Sequence, residues 1–340
     1  MTHPGPATGR RPRVRPLTAA PLVLAVVALG LAGCSTESVT PATSPVAYAT
    51  LGSGIPNPGD TVAVVDTRTG AVGRPVTVGT LPSGLALVPG SKYLVVAVKA
   101  QNQLVEVSTA TGDVVGRVGV GLEPDAVAVT PDGSLALVAN FGDNTVTAVD
   151  LVDLAVRATV TVGHQPVAVA VTPDGTRALV VDYQDGTVTP MALPSLVAGA
   201  PVAVGPEPSA VLIGADGATA LVADFQTSSV TPVALPALTA GTAVPIGSNP
   251  TGIAGSPGSP IAWISGGDSI TPMTVADRQV GQPIAIGAPA GCIAVAPDGD
   301  LWACSGNNAL VQVDPTRDRV VRTVALDGLP SAVVVSGGSG

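Results

Sequence analysis

A proline recurs at a fixed interval through most of this chain, and that interval limits the folds open to it. Pro82, Pro124, Pro166, Pro208 and Pro250 are spaced by 42 residues, Pro289 follows after 39 and Pro330 after 41. Just upstream, Gly79, Gly121, Gly163, Gly205 and Gly247 keep the same interval. The clearest unit starts at Pro124 and reads PDAVAVTPDGSLALVANFGDNTVTAVDLVDLAVRATVTVGHQ. A period of this length belongs to an array of identical supersecondary units.

Each unit divides into four short strands: Ala126 to Thr130 (a), Leu135 to Asn140 (b), Thr145 to Asp150 (c) and Arg157 to Val162 (d). Pro131-Asp132-Gly133 between the first two predicts a tight turn with Gly in the left-handed position. Asp132, Asp174 and Asp298 are read as turn formers of this kind. Composition agrees with strands rather than helices. Gly (41) and Pro (33) interrupt every helical stretch, and β-branched residues fill the gaps. Disorder is excluded by an apolar content of 46% against 11% charged residues. The strands are apolar on both faces, so each sheet lies between two others, and Ala and Val in place of aromatics predict close, flat packing. Four strands per unit is the pattern of a propeller blade. Six complete units run from Pro82 to Leu329. The tail Pro330 to Val335 supplies one more strand a, while Val46 to Thr50, Asp60 to Asp66 and Arg74 to Val78 supply strands b, c and d. The fold class is therefore all-β: a seven-bladed propeller closed by a composite blade from both termini.

The chain ahead of the repeats reads as an address. Arg10, Arg11, Arg13 and Arg15 precede an uncharged apolar run from Leu17 to Leu31, which is about fifteen residues and short of the ~20 that span a bilayer. It ends in Leu31-Ala32-Gly33-Cys34, which resembles the lipobox of bacterial lipoproteins. The resemblance implies that residues 1–33 are a signal peptide and that Cys34 carries the lipid. It also implies that residues 34–45 are a flexible tether to a propeller spanning 46–340. General secretion fits better than twin-arginine export, because Pro12-Arg13-Val14 departs from the latter's consensus. The expected location is the outer face of a bacterial cell membrane. Removing the leader takes four of 15 basic residues and leaves 11 against 24 acidic ones. That balance excludes a nucleic-acid partner, which needs clustered cations.

Leu137-Val138-Ala139-Asn140 followed by Asn144-Thr145-Val146, after Thr130-Pro131-Asp132-Gly133, resembles the YVTN-type β-propeller repeat. That family includes bacterial surface and envelope proteins and is related in fold to seven-bladed lactonases and amine-dehydrogenase heavy chains. The resemblance implies a fold and carries no catalytic residues. It fades where Gly266-Gly267 and Ser305-Gly306 replace the end of strand b.

Candidate site residues gather where the b–c and d–a connections share one face. Asn140-Phe141, Asp182-Tyr183 and Asp224-Phe225 occupy one position on three successive blades. They either form a shallow ligand-binding surface, or each ring plugs the gap between blades while the Asn or Asp caps a turn. Equivalent atoms on adjacent blades lie about 10 Å apart, given strands ~4.8 Å apart. A shared metal site is therefore not expected. His164, the one histidine past the leader, is either an acid–base group beside Asp125 or Glu123 or a solvated loop residue. Cys292 and Cys304 fall opposite each other across the Pro297-Asp298-Gly299 hairpin, at a hydrogen-bonded pair, either as a disulfide or as two buried thiols. No nucleophile elbow, phosphate loop, metal cluster or cofactor motif is present. The expected function is a monomeric, lipid-anchored binding module for an envelope protein, glycan or small ligand. The alternatives are an extracytoplasmic enzyme of lactonase or quinoprotein-dehydrogenase-like type and a structural component of the envelope.

Overall fold

The computed structural model describes residues 45–53, 59–90, 92–256 and 258–337. The leader, Cys34 and residues 35–44 lie outside the described residues. Those described form seven antiparallel sheets and no helix. Blade 1 is Pro82–Leu87, Tyr93–Val98, Gln103–Ser108 and Val114–Gly119 as strands a to d; blade 2 is Pro124–Val129, Leu135–Asn140, Thr145–Asp150 and Ala155–Thr161. Blades 3, 4, 5 and 6 begin at Pro166, Pro208, Pro250 and Ala290. Strand a of each blade touches strand a of the next, round to blade 1, so the ring is shut.

Closure is made as the repeat count predicts. Leu329–Val335 pairs with Val46–Ser53, which pairs with Thr61–Asp66 and then Val76–Thr77. Ala49 faces Val333 in that register. Thr50 adds side-chain bonds, donating from Oγ1 to the Ser83 carbonyl (2.6 Å) and lying 2.9 Å from the Ser331 hydroxyl. The two ends of the array thus leave no open sheet edge at the junction.

The core is divided among the gaps between blades. Leu104, Val95, Ala136 and Val138 fill the gap between blades 1 and 2; Leu137, Val146, Ala178 and Met191 fill the next. Trp302 is fully buried between blade 6 and the composite blade. Each fully buried Leu or Val contributes roughly 1.5–3 kcal/mol, so both faces of the inner strands must be apolar, as the sequence pattern requires.

The outer strand departs from the ideal unit. In blades 3 and 4 it is reduced to Val197–Ala198 with Val202–Ala203, and Thr239–Ala240 with Val244–Pro245. Strand c of these two blades carries Pro190 and Pro232, which have no N–H for the ladder. Their carbonyls are met instead by the amides of Gly199 and Gly241, both at 2.7 Å. The a–b turn is as expected: Gly133 has φ 72°, and Asp132 accepts from the Ser134 amide (3.1 Å) and the Thr130 hydroxyl. Asp174 makes the same bonds, and these, led by the Thr172 hydroxyl, lower its carboxyl to a pKa of about 2.

Candidate functional site

Strand a starts, and strand b ends, on the same side of the ring. One backbone bond fixes this in each of the first four blades. The amides of Lys99, Phe141, Tyr183 and Phe225 donate to the carbonyls of Leu81, Glu123, Gln165 and Glu207 at 3.0–3.1 Å. The side chains at this position stand at equivalent points on the rim. All four are partly exposed.

Under the rim, the residue ending strand b is wholly buried. Asn140, Asp182 and Asp224 are 0% exposed. This corrects their reading as ligand-binding residues, because no ligand at the surface reaches them. It also changes the turn-cap alternative, since their partners are mainly hydroxyls of strand c. Asn140 Nδ2 donates to Thr145 and Thr147, both at 2.9 Å. Asp182 accepts from Thr187 (3.1 Å) and Thr189 (2.7 Å), and Asp224 from Thr231 (2.6 Å) and the Gly205 amide (3.0 Å). Burial raises the pKa of Asp182 to about 6, and that of Asp224 in the same direction, against the pull of these hydrogen bonds.

These side chains also account for three of the periodic glycines. A Cβ on Gly121, Gly163 or Gly205 would come within 2.6, 2.4 or 2.5 Å of the Cγ of Asn140, Asp182 or Asp224. The glycine is a space left for the buried polar group. At the same repeat position, Gly79 has φ +131° and its Cβ would still come within 3.0 Å of Val98 Cγ1 and 2.9 Å of Gln101 Oε1, whereas Gly247 has φ +82° and meets no atom within 4 Å.

The centre of the same face is a funnel of about 380 Å³. Its wall is built from the residue after the strand-a proline: Ser83, Asp125, Val167, Ser209, Thr251 and Ser331, with Lys99 above them. The hydroxyls stitch blade to blade. Ser83, Ser209 and Thr251 donate to the carbonyls of Pro124, Pro250 and Ala290, each at 2.8 Å, and Ser331 to that of Pro82 at 3.1 Å. With its one proton committed, each hydroxyl meets a ligand as an acceptor. Asp125 breaks the series and instead holds the Lys99 ammonium at 2.7 Å. That ammonium also lies 5.9 Å from the centroid of the Phe141 ring.

Lys99 and the funnel hydroxyls were not among the sequence candidates, although the repeat registers them. Lys99 stands 42 residues before Phe141, and Ser83, Asp125, Val167, Ser209 and Thr251 follow one another at 42. His164 is exposed on the rim as a loop residue and pairs with Asp185, Nδ1 to Oδ1 at 2.9 Å. It does not pair with Asp125 or Glu123, because its own amide donates to Asp185 (2.8 Å) and holds the ring on that side. Cys292 and Cys304 are disulfide-bonded with Cα atoms 5.0 Å apart. The regular hydrogen-bonded pair expected there is replaced by a bulge between Ala290 and Ile293, in which Cys292 sits. Among the described residues no three His, Cys, Asp or Glu side chains are placed to hold a metal ion, and no helix is long and apolar enough to cross a membrane.

No family model and no curated protein matches the sequence. Solved structures match the fold. A functionally unknown protein from Desulfotomaculum acetoxidans is similar with a TM-score of 0.77 at 16% identity, over 86% of this chain and 99% of that one. A hydrazine synthase chain from Kuenenia stuttgartiensis is similar with a TM-score of 0.69 at 18% identity, over 74% of this chain and 89% of that one. At such identities the likeness shows the propeller fold alone.

Proposed function

We propose that this chain is an exported, lipid-tethered propeller of YVTN type that binds a partner at the funnel face. The observation that carries the reading is the convergence, on that one face, of the Lys99–Asp125 pair, four acceptor hydroxyls and the aromatic rim. The address at Arg10 to Cys34 supports the tether. Strand b of the composite blade begins at Val46 on the side opposite the funnel, where the Pro45 carbonyl accepts from Thr67 in a c–d turn.

The full-length protein in detergent, melted against a panel of peptides, glycans and small metabolites, tests the binding role. At least one class is expected to raise the melting temperature of the wild type and not of a Tyr183→Ala/Phe225→Ala variant. Turnover of lactone or amine substrates by the wild type, abolished by Asp125→Ala, would overturn the binding role in favour of an enzyme. Mass spectrometry of Cys34, with and without the substitution Cys34→Ala, tests the anchor.

A further inference from the structure

Resting on the reading of the funnel face as the binding face, we infer that its partner is a lysine-bearing segment of extended polypeptide. Its ammonium groups would lie over Tyr183 and Phe225 and at the funnel wall. Three independent features select a cation.

The first is a seat already filled by the chain itself. Lys99 places its ammonium against the Asp125 carboxylate and over the Phe141 ring. This is the combination of charge and aromatic face that holds ammonium groups. Tyr183 and Phe225 repeat the Phe141 ring on the next two blades, with Val167 and Ser209 in place of the Asp125 carboxylate, and the preceding blade offers each of them an aromatic residue where Phe141 meets Lys99. Their faces lack the intramolecular lysine.

The second feature is charge. No Lys, Arg or His lies between Arg177 and Arg278, a stretch that holds the b–c loops of blades 3 and 4, while His164, in the loop leading into blade 3, stands on the same rim. Glu123, Asp143, Asp185 and Glu207 stand in the rim loops of blades 2 to 4, at least partly exposed. Asp185 is satisfied by His164, and Glu207 meets the Tyr183 phenol. The third is the funnel wall, whose hydroxyls have given their protons to neighbouring carbonyls and present acceptors only. An anion would find one cation there, Lys99, already paired. An ammonium finds acceptors throughout.

Spacing selects an extended chain. Equivalent rim positions are about 10 Å apart on adjacent blades, which three residues of an extended, polyproline-II chain span at ~3.1 Å each while keeping side chains i and i+3 on one face. A lysine at every third residue therefore matches Tyr183 and Phe225 in succession.

The test titrates a fluorescent peptide with three lysines at every third position into the full-length protein in detergent at low salt. The same peptide with its lysines acetylated, and one with glutamates in their place, serve as comparisons. The lysine peptide is expected to bind at least tenfold more tightly than either, and more weakly as salt rises. Tyr183→Ala/Phe225→Ala should weaken it by about tenfold, whereas Tyr183→Phe, which keeps the ring and frees Glu207, should retain it. Lys99→Ala should tighten binding about threefold, because it vacates the Asp125–Phe141 seat. Loss of binding in Lys99→Ala, or equal binding of the acetylated peptide, overturns the inference. If instead the glutamate peptide or a neutral glycan binds and is lost in the Tyr183/Phe225 variant, the cationic partner is wrong and the binding face stands. If nothing tested depends on those rings, both fall.

Discussion

Blades 2 to 4 and blades 5 and 6 share a strand skeleton and end strand b in different ways. In the former, a buried Asn140, Asp182 or Asp224 binds strand-c hydroxyls, a glycine makes room for it, and an aromatic follows on the rim. In the latter, Gly266-Gly267 and Ser305-Gly306 leave nothing bulky at the same point. The lesson is that the polar residue and the ring work as a unit. The buried group pins the b–c loop to strand c, and the pinned loop holds an aromatic half out of the surface. Without the buried group there is neither a need for the glycine's empty space nor a ring to present. One half of the rim carries rings above buried polar groups, and the other half carries neither.

The largest test of this comparison is in pH. The Asp182 carboxyl has its pKa raised to about 6 from 3.8, so the folded state holds its proton where the unfolded chain has lost it. Stability contributed there is full below about pH 4 and falls as pH rises to about 6, then stays level. Asp182→Asn copies the neutral side chain of blade 2 and is expected to melt higher above pH 6 by up to about 3 kcal/mol, at 1.36 kcal/mol per unit of pKa. Below pH 4 the two proteins should coincide. Parallel stability curves across pH 3–8 would show that the carboxyl carries no such penalty.

Next in size is the glycine. Gly163→Ala puts a methyl 2.4 Å from Asp182 Cγ and is expected to destabilise by roughly 2 kcal/mol, as overpacked sites do. Urea denaturation of Gly163→Ala with and without Asp182→Ala isolates the clash, because the second change should recover most of the loss. Gly247→Ala serves as the contrast: it meets no atom within 4 Å but is forced to φ +82°, so truncating a neighbour in sequence, Asn249→Ala, should recover nothing. Recovery in both blades, or in neither, would break the distinction between space and conformation.

A smaller effect is expected in the hydroxyl belt. Val167 interrupts the series in blade 3, where Val167→Thr keeps the shape and supplies a donor for the Pro208 carbonyl. A gain of about 1 kcal/mol or less is expected. Ser209→Ala should lose a similar amount, and thermal denaturation of the pair checks whether the belt adds stability at all.

Much of the fold was legible because repetition reports on packing at every unit. Seven strand-a starts, and termini that supply complementary strands, leave no other closed ring without orphan strands. The Cys292–Cys304 pairing was legible from hairpin counting, but not the bulge that accommodates it. The site was read less well. Repetition marks Phe141, Tyr183 and Phe225, whereas Lys99 departs from the repeat at the same position and is not marked by it. Asp182 and Asp224 look like surface residues by type, and nothing local marks their burial. Their partners include Thr189 and Thr231 across a hairpin and the glycine ahead of the blade.

The sequence by itself determined the number of blades, the strands in each and the joining of the two ends. All three follow from local alternation and a period that the backbone must respect. Only the tertiary structure decided which groups meet in the funnel and which polar side chains are sealed beneath it. The reason is geometric. A hydroxyl on one blade finds its carbonyl on the next, 41 residues away at Pro124 or Pro250. Whether a carboxyl is wet or buried depends on how closely two sheets approach, a distance set by the apolar side chains of both.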